Sequence, residues 1–396
     1  MMATVHRVLA VRSGRRAVLG VFALHGLATS MWVACIPGIK WRFGLSDQTL
    51  STVLLAIACG ALAGMFAFPG ISRRIGARAT ARTFAVAVPL ALVLPGVVPD
   101  VGFLRGAGFV LGCATGSLNV AMNLQAVTVQ KSTERPLLGT CHALWSGANI
   151  VGTAFASLLI GAGWTTTTVL LVAAAVLLPS ALVAGRRLVE PDSPLPGTRD
   201  KADRLPRQVW LLGGLALVTL LCEGAVADWA GVHLHGTLGA PMWVAALGYG
   251  AFSMASVLGR LLTDRLLPVA GDRVLVRAGG FLAATGFLMV VVALDPVFAI
   301  VGWTLAGFGL STVVPLIYAM AGSGRQGESA LARVSAFGYL GLMVGPAFIG
   351  SLARGLGLDH ALVALVIVAL LVGVAGPLVM RSRRPDTVVP VGAQRK

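Results

Sequence analysis

Two carboxylates stand inside an apolar stretch of this sequence. Glu223 and Asp228 lie in the run 209–232, while the other 13 of the 15 acidic residues fall in tails, loops or the ends of apolar runs. A charged side chain at a bilayer centre costs about 2.5–3.5 kcal/mol or more, so an intramembrane acid reads as a functional-site candidate. One chemistry is reversible protonation: a carboxylate facing an aqueous cavity couples a proton to a solute, or holds the solute itself. The other is an ion pair or a buried hydrogen bond that only joins helices. Glu223, near the middle of its run, favours the first reading. Asp228 lies nearer the end and fits either. The two are five apart, so they need not share a helix face.

Uncharged polar residues fall in stripes. Thr115, Asn119 and Asn123 stand at i, i+4 and i+8, one face of a helix, with Gln125 beside them. His142, Ser146, Asn149 and Thr153 follow at steps of three and four. Such a stripe either lines a cavity or hydrogen-bonds one membrane helix to the next. A cavity is the expectation for the first stripe, and both readings stay open for the second. His25, in the middle of the first apolar run, is either a proton relay or a neutral imidazole tied to a neighbouring helix. Trp32, Trp145, Trp229 and Tyr339 could stack on a sugar-like or aromatic solute, although single aromatics more often pack or anchor at the interface. The expected substrate cavity combines Asn119, Asn123, Thr115 and Asn149 with these four aromatics. The expected coupling groups are Glu223, Asp228 and His25.

Other chemistries find no support. Gly322-Ser323-Gly324-Arg325-Gln326-Gly327 satisfies GxGxxG, but it follows an apolar run with no strand before it, so no dinucleotide site is expected. P-loop, HExxH and GxSxG patterns do not occur. The five cysteines (Cys35, Cys59, Cys113, Cys141, Cys222) all lie in apolar runs, are odd in number and form no CxxC pair. They read as small packing residues, not as disulfides or metal ligands. No cofactor and no metal are expected.

The elements that must position these groups follow from composition. The 396 residues are 57% hydrophobic and 12% charged, with a mean hydropathy of +0.86. Soluble domains average about 25% charged residues, so this chain has too few for an ordinary soluble enzyme. Twelve apolar runs are long enough to cross a bilayer as helices: 17–39, 48–69, 82–99, 102–127, 137–160, 165–184, 209–232, 242–262, 275–294, 297–319, 331–353 and 360–380. Arg12, Arg15 and Arg16 precede the first run as in a signal peptide, but the run is too long for an h-region and eleven more follow. Runs 3, 6, 9 and 12 have almost no polar residue at their centres and read as lipid-facing scaffold.

The net charge of +16 does not point to nucleic acid, because the arginines cluster between apolar runs with no interleaved aromatics. With the N-terminus in the cytoplasm, 27 of the 31 Lys and Arg residues fall inside, and only Lys40, Arg42, Arg105 and Arg354 outside. That satisfies the positive-inside rule with both termini cytoplasmic. The polar stretch 185–208 divides the spans six and six and reads as a solvated linker, with room for a short amphipathic helix. The organisation is thus a tail (1–16), a six-helix half (17–184), a central loop (185–208), a second half (209–380) and a tail (381–396). The halves look like repeats. Val151-Gly152-Thr153-Ala154-Phe155 matches Val344-Gly345-Pro346-Ala347-Phe348. His25-Gly26 with Trp32 matches Glu223-Gly224 with Trp229. Pro99-Asp100 corresponds to Asp295-Pro296.

The chain resembles the major facilitator superfamily. Its loop 2–3 signature, Gly-x-x-x-Asp-Arg-x-Gly-x-Arg, is represented by Pro69-Gly70-Ile71-Ser72-Arg73-Arg74-Ile75-Gly76-Ala77-Arg78, matched at Arg74, Gly76 and Arg78; Asp264-Arg265 is the remnant in loop 8–9. More specifically it is similar to the bacterial group related to fucose permease. That similarity is carried by Ile36-Pro37-Gly38-Ile39-Lys40 with Gly44-Leu45-Ser46-Asp47, Val120-Ala121-Met122-Asn123 with Gln125, Glu223-Gly224-Ala225 with Asp228-Trp229, Val314-Pro315-Leu316, and Gly338-Tyr339-Leu340-Gly341 with Gly345-Pro346. The resemblance implies an all-α membrane fold of two six-helix halves. It also implies secondary transport by rocking of the halves about a midplane site, often driven by protons, with the two loops as gates. Three positions depart from the group: Asn119 replaces its usual Asp, Cys35 its Arg and His25 its Asn. Coupling then rests on Glu223 and Asp228, with His25.

The expected function is secondary active transport of a small organic solute across the bacterial cytoplasmic membrane. It runs as efflux of a metabolite or drug-like compound or as uptake of a sugar-like solute, with the proton gradient as energy source. The expected partners are the solute and the lipid bilayer, and the expected state is a monomer. A non-transporting receptor on the same scaffold is the alternative; the 16 residues after Met380 argue against an output domain. A membrane enzyme lacks a catalytic constellation.

Overall fold

The computed structural model describes residues 2–133, 137–190, 206–323 and 327–380, with backbone alone at 2–12, Asp264 and a few other positions. Arg135, most of the central loop, the middle of the GxGxxG match and the tail after Met380 lie outside the described residues.

Lipid cannot hydrogen-bond a backbone, so a spanning segment must satisfy its own amides, and a helix does so within one segment. Among the described residues, twelve helices are long and apolar enough to cross a bilayer. In the first half these are α1 (Ser13–Arg42, continuous with helix from Met2), α2 (Asp47–Ile75), α3 (Ala77–Val97), α4 (Val101–Ser132), α5 (Leu138–Gly161) and α6 (Thr166–Gly185). In the second they are α7 (Arg207–Gly236), α8 (Met242–Thr263), α9 (Arg265–Val291), α10 (Pro296–Gly322), α11 (Ser329–Leu356) and α12 (Leu358–Val379). Each overlaps one of the apolar runs, most ends shifted by a few residues and the start of α9 by ten. The chain is a multi-pass membrane protein.

Side-chain caps start several helices. Ser46 accepts from the Thr49 N–H at 3.2 Å and Thr165 from the Thr168 N–H at 3.2 Å. Asp100 accepts from the Phe103 N–H, and Asp295 from those of Val297 and Phe298. Each cap occupies backbone donors that have no partner within the helix.

The duplication is visible in packing. A Cβ on Gly112 would lie 2.0 Å from the Ile57 carbonyl, and one on Gly307 would lie 2.3 Å from that of Phe252. Both pairs are displaced by 195 residues, so α2–α4 and α8–α10 are the same close contact built twice. The positive-φ glycines Gly44 and Gly239, and Gly76 and Gly271, keep that spacing. The sequence match of His25-Gly26 to Glu223-Gly224 is also a packing match: a Cβ on Gly26 would lie 2.5 Å from the Trp145 carbonyl and one on Gly224 would lie 2.2 Å from the Leu342 carbonyl. The 195-residue spacing corrects the second loop. Asp264 and Arg265 lie within continuous helix, and the turn equivalent to Gly76 is at Gly271 (φ 87° and 75°), a backbone conformation that strongly favours glycine.

The two halves meet at the end of the bundle away from the chain termini. Ser51 on α2 donates to the Ala347 carbonyl of α11, and Ser157 on α5 donates to the Trp243 carbonyl of α8 at 2.6 Å. Gly231 on α7 lies against Pro37 on α1, where a Cβ would be 2.8 Å from the proline ring. Trp41 sets its edge on His235 with ring centroids 5.2 Å apart. Toward the termini, Asn119, Asn123, Glu223, Arg260 and Tyr339 are part-exposed and His142 is exposed. A chamber therefore opens between the halves at that end.

The central loop is not free throughout. Gln125 grips Val189 through both amide atoms, accepting from its N–H at 3.0 Å and donating to its carbonyl at 2.8 Å. The carboxylate of Glu190 then accepts from the N–H groups of Ala77 and Arg78, capping α3. At its start, then, the loop is tied to α3 and α4 by side-chain hydrogen bonds.

Candidate functional site

Glu223 sits near the midpoint of α7 and faces α8. Its Oε1 is 3.8 Å from a terminal nitrogen of Arg260, with side-chain exposures of 19% and 38%. By sequence, Arg260 counted among the loop charges. It instead belongs to α8 and turns back into the span. The pair keeps both charges beside one another in a setting where a lone charge is costly.

The chain has three tyrosines, and all three gather here. Tyr249 on α8 stands beside Ser253, within electrostatic reach of Glu223, Arg260 and Asp228. Tyr318 on α10 stands beside Ser335, close to Tyr339 and Glu223. Tyr339 on α11 crosses the chamber and donates its hydroxyl to Asn119 Oδ1 on α4 at 3.1 Å. This bond joins the halves at mid-depth. Asn123 donates to the Asn119 carbonyl one turn back at 2.8 Å. From α5, His142 faces Arg260 closely enough to feel its charge. Asp228 lies on another face of α7, half-buried, with no hydrogen-bond or ion-pair partner among the described residues.

Several expected cavity residues sit elsewhere. Trp229 is wholly buried at the closed end, its indole N–H on the Pro346 carbonyl at 3.0 Å. Trp32 is buried in the helix core. Asn149 is buried beside Gly26, where α1 and α5 press together, and donates to the Trp145 carbonyl at 2.9 Å. Thr115 turns its hydroxyl onto the Leu111 and Gly112 carbonyls. Trp229, Trp32 and Asn149 are buried, and the Thr115 hydroxyl is spent on its own helix. His25 is buried as well. It accepts from the Trp145 indole N–H at Nδ1 and reaches the Thr115 carbonyl through Nε2. Both ring nitrogens and the Trp145 N–H are thereby engaged in joining α1, α4 and α5. Arg74 and Arg78 are exposed on either side of the turn at Gly76, and Arg265 is exposed within continuous helix.

What sequence reasoning missed is the second half's share of the chamber: Arg260, Tyr249 and Tyr318. One signal was present, since Arg260 falls inside the run 242–262. Within the shared scaffold, Met65 occupies the place of Arg260 by the 195-residue register, so the halves repeat packing without repeating charge. The arrangement can exchange a proton at Glu223, hold an anion at Arg260 and offer amide and phenol groups to hydroxyls.

A family model described as the Major Facilitator Superfamily matches residues 17–325. The chain belongs to this superfamily. It is 31% identical over 367 residues to an uncharacterised MFS-type transporter of Yersinia pestis, covering 91% of this chain and 94% of the relative. It is 30% identical over 377 residues to the membrane protein MosC of Rhizobium meliloti, covering 93% and 90%. Among solved structures, a bacterial homologue of the human lysosomal transporter Spinster, inward-facing and unoccupied, superposes with a TM-score of 0.74 at 13% identity, over 93% of this chain and 97% of that one. A D-xylose-proton symporter gives 0.72 at 15% identity, over 93% and 96%. At these identities the structures show the fold alone.

Proposed function

We propose that the protein is a proton-coupled secondary transporter that carries a small organic solute by alternating access. It works in the bacterial cytoplasmic membrane with both termini inside and draws on the proton gradient alone. The observation that carries this reading is the Glu223–Arg260 pair, part-exposed within the span, while hydrogen bonds join the halves at the end away from the termini. A protonatable group placed where solute and water reach it from one side is what coupling by alternating access requires. The excess of Lys and Arg on the side of the termini supports the orientation, which makes this an inward-facing state. Both halves of the chamber come from one chain, which supports a monomer as the working unit.

The test is solute flux from a compound library into proteoliposomes, with and without an imposed proton gradient, beside Glu223→Gln. Gradient-driven flux in the parent protein and its loss in the variant, at normal expression and melting temperature, is the expected result. Unchanged gradient-driven flux in Glu223→Gln sinks coupling at this residue.

A further inference from the structure

Resting on the transport reading above, we infer that the solute is a hydroxylated organic monocarboxylate, bound by Arg260 and moved together with the proton on Glu223, without net charge.

The argument begins with unsatisfied donors. A guanidinium presents five N–H groups in a planar fork that matches a carboxylate in two parallel bonds. Arg260 makes no hydrogen bond among the described residues. Its contact with Glu223, at 3.8 Å, is too long for one. An arginine placed within a span, half-exposed to a chamber and lacking a bonded acceptor, is a site for an acceptor that arrives from solution. Tyr249 lies within electrostatic reach of it on the same helix, and His142 faces it from the opposite half. Glu223 is the acidic group in contact with Arg260; Asp228 lies one to two turns further toward the closed end.

Charge then links anion and proton. With Glu223 ionised, the pair is neutral and the guanidinium is shielded. A solute carboxylate approaching that state meets a like charge beside its only counterion. Protonation of Glu223 removes the repulsion and frees Arg260. One proton and one carboxylate enter together, the site stays neutral, and both leave together when the chamber opens on the other side. Inward proton movement therefore drives uptake.

Hydroxyls are read on α4. The Asn119 carboxamide oxygen is taken by Tyr339, which leaves its NH₂ group free; Asn123 spends its NH₂ on the Asn119 carbonyl, which leaves its oxygen free. A free donor and a free acceptor one turn apart suit alcohols, which are both.

The experiment uses the full chain in proteoliposomes with two series of solutes that differ only at one end. D-gluconate, D-glucitol and 1-amino-1-deoxy-D-glucitol are carboxylate, neutral and ammonium on one carbon chain; glycerate, glycerol and 3-amino-1,2-propanediol repeat the set at three carbons. The expected result is accumulation of a carboxylate, at least tenfold, under an inward pH gradient. A membrane potential imposed alone changes its rate less than twofold. Arg260→Gln abolishes this flux at least tenfold. Arg260→Lys keeps the charge and part of the flux, which shows that a loss in Arg260→Gln is not simple misfolding. Accumulation of a neutral or amine member instead overturns the anion assignment and leaves the transporter reading standing. Carboxylate flux driven by potential alone overturns the electroneutral coupling. No flux with any member, in protein whose melting shows it folded, counts against the assignment and the transport reading alike.

Discussion

The indole N–H of Trp145 donates to Nδ1 of His25 at 3.0 Å, across the contact between α1 and α5. An indole nitrogen is a donor only, so Nδ1 presents a lone pair and the proton is assigned to Nε2, 3.3 Å from the Thr115 carbonyl. The imidazole has no nitrogen left over for relaying a proton. Replacing His25 with Phe strands the Trp145 N–H, at a cost of about 1–3 kcal/mol. The expected outcome is a lower melting temperature with the pH profile of transport unmoved. A shifted profile in a folded His25→Phe protein would restore the relay.

Glu223 and Arg260 form a pair, and pairs respond to single and double substitution differently. Arg260→Gln leaves Glu223 without its counterion. We expect destabilisation of about 1–2 kcal/mol, below the roughly 3–5 kcal/mol of a fully buried pair, because the arginine is 38% exposed. Glu223→Gln combined with Arg260→Gln recovers most of that loss and restores no transport. A double-mutant cycle on thermal unfolding checks the coupling. Additive losses would mean that the two side chains do not sense each other.

Glu190 ties the start of the central loop to the N-terminus of α3. Glu190→Ala removes the acceptor for two backbone donors and is expected to cost about 1–2 kcal/mol, the range of a lost helix cap. Glu190→Gln keeps one acceptor oxygen and loses the charge, so its melting temperature falls between the two. Equal melting of all three proteins would show that the cap carries no stability.

Gly231 lets α7 press on Pro37 of α1 at the closed end, where an added Cβ would also lie 2.9 Å from the Ala245 carbonyl. Gly231→Leu has no room in this packing and favours states in which the end is parted. Amide hydrogen exchange should rise in residues 36–46 and 231–241 relative to the parent protein. Unchanged exchange there would mean that the contact does not hold the halves shut.

Composition and charge placement determined the architecture. Twelve apolar runs in lipid have few solutions besides helices, because each backbone amide must be satisfied within its own segment. The acid in α7 was also legible, because a carboxylate in an apolar run stands out against its neighbours. Packing register and depth were decided only in three dimensions. Trp229, Asn149 and Thr115 look like cavity groups on a helical wheel. Trp229 is bonded to a carbonyl of α11, and Asn149 and Thr115 to carbonyls of their own helices, so their hydrogen bonds are already used. His25 and Glu223 each stand beside a glycine pressed on a carbonyl of a neighbouring helix, yet His25 is consumed in packing while Glu223 meets Arg260. Arg260 was counted with the loops because a charge near the end of an apolar run can point either way, toward water or back along the helix. Which way it turned depended on Glu223, 37 residues earlier in the chain, and only the fold brought those two charges together.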